Sequence, residues 1–246
     1  MNKTNTCKAV VFDLGDTLTT HIVDETTRED DVYTEVRSLF LKTGYSIPEV
    51  LYRESKIEMW KNWKEQSSRS GEEFSIETFL HHLLHNLGVK PKDIEKFILL
   101  ITNIIYKCDL SSLVLTPSVE KTLEKLRQMS YLLGIISNTS YSYDHIFEIL
   151  DRCQIANYFD VVLVSSREKI CKPNPKIFQK ALHLLQVSAG NTTFVGNDPQ
   201  VDIEGAKRAG MKTILVVQSE DELTKFRSNN ARVVANVEDI LRYLKE

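Results

Sequence analysis

The chain has 246 residues, 42% of them hydrophobic and 26% charged, with a net charge of −3. That length accommodates one large or two modest domains and fills a sizeable core, so folding needs neither disulfides nor a structural metal. Lysine and arginine are scattered and form no basic block, which disfavours nucleic acid as a partner, and no apolar run approaches the roughly 20 residues a membrane-spanning helix requires.

The first element is the apolar run Ala9-Val10-Val11-Phe12, which reads as a buried parallel strand. With Lys8 before it the run is too short for a secretory leader, and Asp13 ends it. Cys7, Cys108, Cys153 and Cys171 show no paired metal spacing, and a reducing cytoplasm is the expected compartment. The cluster Asp13-Leu14-Gly15-Asp16-Thr17 follows the strand directly.

From about residue 27 to 110 the periodicity is helical throughout. A first helix is predicted over 29–41, on the stripe Val32, Val36, Leu39 and Phe40, with Gly44 as its stop. A second starts near Pro48, where proline suits the first turn, and carries Met59, Trp60 and Trp63; residues 67–71 read as a loop. Ser75 caps a third helix bearing Phe79, Leu80, Leu83 and Leu84, which Gly88 ends. A fourth is predicted over 92–106. His81, His82 and His85 lack the intervening glutamate of a metalloprotease motif and read as a solvated helix face, while Tyr52, Trp60 and Trp63 read as packing aromatics.

From Thr116 onward helix and strand alternate, as in a sheet wound with right-handed crossovers. Helices are predicted over 118–129, 143–150, 175–185, 202–209 and 237–244, and strands over 132–136, 161–164, 194–196, 213–217 and 233–234. Three further polar clusters punctuate this half: Ser137-Asn138-Thr139, Lys172-Pro173-Asn174-Pro175, and Gly196-Asn197-Asp198 with Asp202. Ligands of an open parallel sheet sit outside the carboxyl ends of its strands, so these clusters are expected to converge with Asp13. A carboxylate, a hydroxyl, an ammonium and an acidic pair in one crevice suit phosphoryl transfer.

Four clusters in this order resemble the haloacid dehalogenase-like hydrolase superfamily, most of whose members are phosphatases. The resemblance covers residues 8–20 and 116–217. It implies an α/β fold, with a Rossmann-like parallel-sheet core (1–19 and 112–246) and an inserted all-helical cap domain (20–111). It further implies Mg²⁺-dependent hydrolysis of a small organic phosphomonoester through an aspartyl-phosphate on Asp13. Ser137, Asn138 and Lys172 would hold the phosphoryl group, and Asp13, the Gly15 carbonyl, Asn197, Asp198 and Asp202 the metal. The expected partner is a small phosphorylated substrate, with neither nucleic acid nor membrane; oligomeric state stays open.

Two positions depart from the family pattern. Most phosphatases of the superfamily read Asp-x-Asp-Gly-Thr, whereas here glycine and aspartate are exchanged, so the general acid two positions after the nucleophile is replaced by Gly15 and a carboxylate stands instead at Asp16. Asn197 stands where the family usually has Asp, leaving open whether it or Asp198 meets the metal. These departures keep a second class in play, a catalytically weakened phosphate-binding or regulatory member of the same fold. Dehalogenation is disfavoured, because a Tyr would be needed at Phe178 and a Ser-Ser-Asn-x-x-Asp string in place of Val195 to Asp202.

Overall fold

The computed structural model describes residues 8–227 and 232–244; Cys7 lies outside them, and nothing is said of the side chain of Ser68. Six strands form one parallel sheet: β1 (Ala9–Phe12), β4 (Leu132–Ser137), β5 (Val161–Val164), β6 (Thr192–Gly196), β7 (Lys212–Val216) and β8 (Val233–Val234), in the order β5-β4-β1-β6-β7-β8. β1 lies between β4 and β6, with Phe12 in register with Ile135 on one side and Val195 on the other. The chain therefore reverses its winding direction at β1, the switch point where a crevice opens at the carboxyl ends.

β1 is buried on both faces because helices cover both. Val10, Phe12, Leu133 and Ile135 pack with α5 (Val119–Gln128) and α6 (Tyr143–Arg152), whereas Ala9, Val11, Ile136 and Phe194 pack with α8 (Pro175–Leu185). A near-continuous apolar run is what such a doubly covered strand requires.

Between β1 and β4 the chain leaves the sheet through a two-stranded antiparallel ribbon, β2 (Thr19–His21) and β3 (Leu113–Leu115). Beyond the ribbon stand four helices, α1 (Glu25–Lys42), α2 (Glu49–Ser70), α3 (Ile76–Asn86) and α4 (Pro91–Ser112), with an apolar cluster of their own built on Val36, Phe40, Phe79, Leu83 and Phe97. No helix among the described residues is long and apolar enough to cross a membrane.

Several boundaries differ from the sequence reading. α1 begins before its apolar stripe because the Asp24 carboxylate accepts from Thr27 N at 3.0 Å and caps it. Residues 67–70, expected as loop, continue α2; the helix ends only at Gly71, whose φ of +71° is the left-handed conformation glycine adopts without strain. α4 runs past Tyr106 to Ser112 at the ribbon. The helix expected over 202–209 begins as a π-helical turn, Pro199–Ile203, and continues as α9 (Glu204–Arg208), while the stretch expected over 237–244 forms a 3₁₀ helix, Val237–Arg242. The short α7 (Ser165–Glu168) and α10 (Glu220–Arg227) were not anticipated.

Candidate active site

Asp13 stays in the sheet ladder through its backbone, donating from N to Val195 O at 2.9 Å, and turns its side chain into the crevice. Lys172 reaches the same point from the loop before α8. Its Nζ lies 2.5 Å from Asp13 Oδ1 and 2.7 Å from Asp202 Oδ1, with all three residues buried. Such a triad holds together only with compensating charge, since an isolated buried ion is costly. Burial pushes the Asp13 carboxyl up to about 6, Lys172 pulling against that rise and Asp202 adding to it. Burial alone would lower Lys172, but Asp13 and Asp202 outweigh it and hold the ammonium above its ordinary value. At neutral pH Asp13 is thus a carboxylate, the state a nucleophile needs.

The surrounding loops fix this triad. Asn138 spends its side chain on the backbone of Lys172, accepting from Lys172 N and donating to Lys172 O, each at 2.8 Å. Its amide is therefore a brace for the lysine, which leaves its backbone N–H as the group able to face a phosphate. Asp202 Oδ2 accepts from Asn197 N and Asp198 N, both at 3.1 Å. That approach demands glycine at 196, where a Cβ would stand 2.6 Å from Asp202 Cγ. Asp198 turns elsewhere: its Oδ1 caps the π-helical turn, accepting from Gln200 N at 2.7 Å and Val201 N at 2.8 Å.

Ser137 ends β4, buried beside β1. Thr17, fully buried, links Asp13 to the fourth cluster, its Oγ1 lying 3.3 Å from Asp13 Oδ2 and 3.4 Å from Asn197 Oδ1. Asn197 thus faces the triad, and Asp198 does not. Gly15 is exposed, and a Cβ there would meet nothing within 4 Å. Asp16 is also exposed, sits at φ +55°, and bears electrostatically on His21. Among the described residues no three His, Cys, Asp or Glu side chains gather as a metal site. The donors that converge by Asp13 are oxygens of mixed type: one carboxylate, one amide and one hydroxyl. Oxygen donors of this kind suit a hard cation such as Mg²⁺.

The helical insert touches this crevice directly. Gly71 O accepts from Cys171 N at 3.0 Å, next to Lys172, and a Cβ at Gly71 would lie 2.7 Å from Asn174 Nδ2. Ser165 Oγ donates to Glu73 Oε2 at 2.9 Å and accepts from Thr139 N at 2.8 Å. Ile76 N donates to Ser140 O at 2.9 Å. Burial raises the Glu73 carboxyl and pushes the Cys171 thiol up to about 11, so that thiol stays protonated and unreactive. Sequence reasoning passed over Gly71, Glu73 and Ser165; the glycine after a serine-rich stretch was the one local signal. His81 and His85 lie exposed on α3, and Trp60 and Trp63 pack edge-on against Phe79.

A doubly wound sheet with a buried carboxylate–ammonium pair at its switch point and helices inserted after the first strand defines an α/β protein with a Rossmann-like core. The family profile of haloacid dehalogenase-like hydrolases matches residues 50–216, and the chain belongs to that family. It is 30% identical over 244 residues to a glyceraldehyde 3-phosphate phosphatase of Methanopyrus kandleri, covering 94% of this chain and 96% of that protein. A protein of the same description from Pyrococcus abyssi is 40% identical over 98 residues, a match spanning 40% of each chain. A 2-haloacid dehalogenase from Pseudomonas syringae superposes with a TM-score of 0.71 over 97% of this chain and 98% of its own, at 23% identity, a likeness of fold.

Proposed function

We propose that the protein is a phosphomonoesterase that works through an aspartyl-phosphate on Asp13, with the helical insert as its cap. The observation that carries this reading is the Lys172 ammonium set between Asp13 and Asp202, 2.5 and 2.7 Å away, at the carboxyl ends of the central strands. A carboxylate oxygen of Asp13 attacks phosphorus as the bond to the leaving oxygen breaks; water then hydrolyses the acyl phosphate, releasing phosphate and restoring the carboxylate. Lys172 and the backbone N–H groups after Ser137 offset the negative charge on the transferring group. With Gly15 in the acid position, the leaving oxygen takes its proton from water.

Asp13, the Gly15 carbonyl and Asn197 would hold Mg²⁺, with Asp202 acting through Lys172 and the two N–H groups it accepts. When bound, the ion supplies further neutralisation of the phosphoryl oxygens. The phosphatase names of the curated relatives support the reaction class. Gly15 and Asn197 favour one alternative, a protein that binds phosphate and hardly turns over. Steady-state hydrolysis of an aryl phosphate with and without Mg²⁺, together with acid-quench trapping of phosphoprotein, tests the proposal: Asp13→Asn should abolish both, and a wild-type rate in that variant would overturn the covalent mechanism.

A further inference from the structure

The insert holds a cavity whose lining extends to the loop that follows Ser137-Asn138-Thr139. Side chains of α1, α2, α3 and α4 line a groove of about 540 Å³ with mainly apolar surface, including Trp60, Ile76, Phe79, Leu80 and Leu83. Protein interiors are close-packed, so an open apolar groove of this size is not a packing remnant that neighbours would fill. Ile57 at its edge is 62% exposed. The volume falls within the roughly 300–1,000 Å³ typical of small-molecule sites.

The groove leads toward the chemistry. Ser140 and Tyr141, which follow directly on Ser137-Asn138-Thr139, are part of its lining, and Ile76 N donates to Ser140 O there. Arg28 and Asp109 also line it, and both act electrostatically on His21 together with Asp16 of the nucleophile loop. Of the loops around Asp13, the one after β4 thus reaches the groove itself, through Ser140 and Tyr141. Its lining carries four basic and four acidic side chains, a balance that offers no net attraction to a second anionic group.

We propose that this groove receives the alcohol portion of the substrate, so that the substrate is a phosphate ester of an apolar alcohol with an aromatic or branched-aliphatic body. The phosphate lies at Asp13 and the body passes Ser140 and Tyr141 to rest against Trp60 and Phe79. This rests on the phosphomonoesterase reading above and goes beyond it in naming the leaving group. The charged side chains of the lining balance in sign, while most of the surface the groove exposes is indole, phenyl and aliphatic, which favours an apolar body.

The chain has two tryptophans, Trp60 and Trp63, both on α2. Trp63→Phe leaves Trp60 as the sole indole, in the groove wall. In a Trp63→Phe/Asp13→Asn protein, titration with phenyl, phenylethyl and phenylbutyl phosphates should change Trp60 fluorescence saturably, with Kd falling about two- to fourfold per added methylene. The matching alcohols without phosphate should bind at least tenfold more weakly. In the Asp13 protein, kcat/KM should climb over the same series, and Val32→Phe, which narrows the groove, should flatten that climb. A flat series with Asp13-dependent hydrolysis of phenyl phosphate intact would overturn the groove assignment, as would alcohols binding as tightly as their phosphates. Saturable Trp60 binding that prefers the phosphates, with no Asp13-dependent turnover, would uphold the groove and sink the hydrolytic reading instead.

Discussion

Gly15→Asp should install a general acid at the position where the superfamily's phosphatases carry one and this chain has glycine. The position accepts a side chain: a Cβ at Gly15 meets nothing within 4 Å, its φ lies outside the left-handed region, and it faces solvent. Two residues of chain place its Cα at most about 7 Å from that of Asp13, a separation that serves as the scale for the two carboxylates. Repulsion between them then costs about 0.6 kcal/mol at the dielectric of water and about 2.4 kcal/mol at an effective value of 20. Replacing glycine where its freedom is not needed returns about 0.4–1 kcal/mol. The variant should therefore fold with a Tm within a few degrees of the parent, and the residual repulsion raises the new carboxyl's pKa, so that it holds a proton further toward neutrality. General acid catalysis contributes about 10²–10⁴-fold, felt where the leaving alkoxide needs a proton and little where it is nitrophenolate. The assay is the ratio of kcat/KM for an alkyl phosphate to that for nitrophenyl phosphate. The ratio should rise by about 10²-fold or more. A folded variant with an unchanged ratio would refute the reasoning, because it would mean either that the loop aims residue 15 away from the leaving oxygen or that another group already protonates it.

Three further outcomes follow from the same geometry. With burial holding Asp13 at about 6, its carboxyl ionises as pH rises through that value, so a carboxyl ¹³C resonance titrating near 6 should be present in the wild type and missing in Asp13→Asn, and kcat/KM should fall as pH drops below it. Gly196→Ala forces a methyl to within 2.6 Å of Asp202 Cγ; overpacking of this kind costs about 1–3 kcal/mol, which a thermal melt should register as roughly 2–12 °C, with activity lost alongside. Asn197→Asp adds a charge next to Asp13 and Thr17, and should lower the Mg²⁺ concentration for half-maximal activity on the order of tenfold; an unchanged metal requirement would remove Asn197 from the ligand set.

The sheet was legible because its strands are covered on both faces, which leaves unbroken apolar runs such as Ala9 to Phe12 and Leu132 to Ile136. The insert's helices were legible where one face is buried, as Phe79, Leu80, Leu83 and Leu84 are. The ribbon β2–β3 escaped, since three residues cannot display a period of two. α2 was cut short because serines at 67, 68 and 70 favour turns locally, while packing and the Gly71 cap carry the helix to its end. In the site, Asp13, Lys172 and Asp202 were named correctly as neighbours, but the partner of each was not readable. Motif order carries which residues meet, and it does not carry whether Asn138 turns its amide to a phosphate or to Lys172, nor whether Asp198 faces the crevice or caps a helical turn.

The hydrogen bonds between insert and core are unequal in a way that bears on opening. Ser165 Oγ has one proton and two acceptors in reach, Glu73 Oε2 at 2.9 Å and Thr139 O at 3.2 Å. The nearer, carboxylate acceptor holds it while the insert is in place. If the 71–75 segment withdraws, the proton passes to Thr139 O, and the core keeps no orphaned donor; leaving one would cost about 1–3 kcal/mol. Glu73 regains water at the same moment, relieving the burial that raises its pKa. Cys171 N behaves differently: its bond to Gly71 O fastens the insert to the residue beside Lys172. Withdrawal therefore releases the lysine loop on one side while the Asn138 amide still holds it on the other. The bonds made directly to Asp13, Lys172 and Asp202 all come from the core, so the triad's own geometry does not rest on the insert, whose hold on the lysine loop is one residue removed, at Cys171.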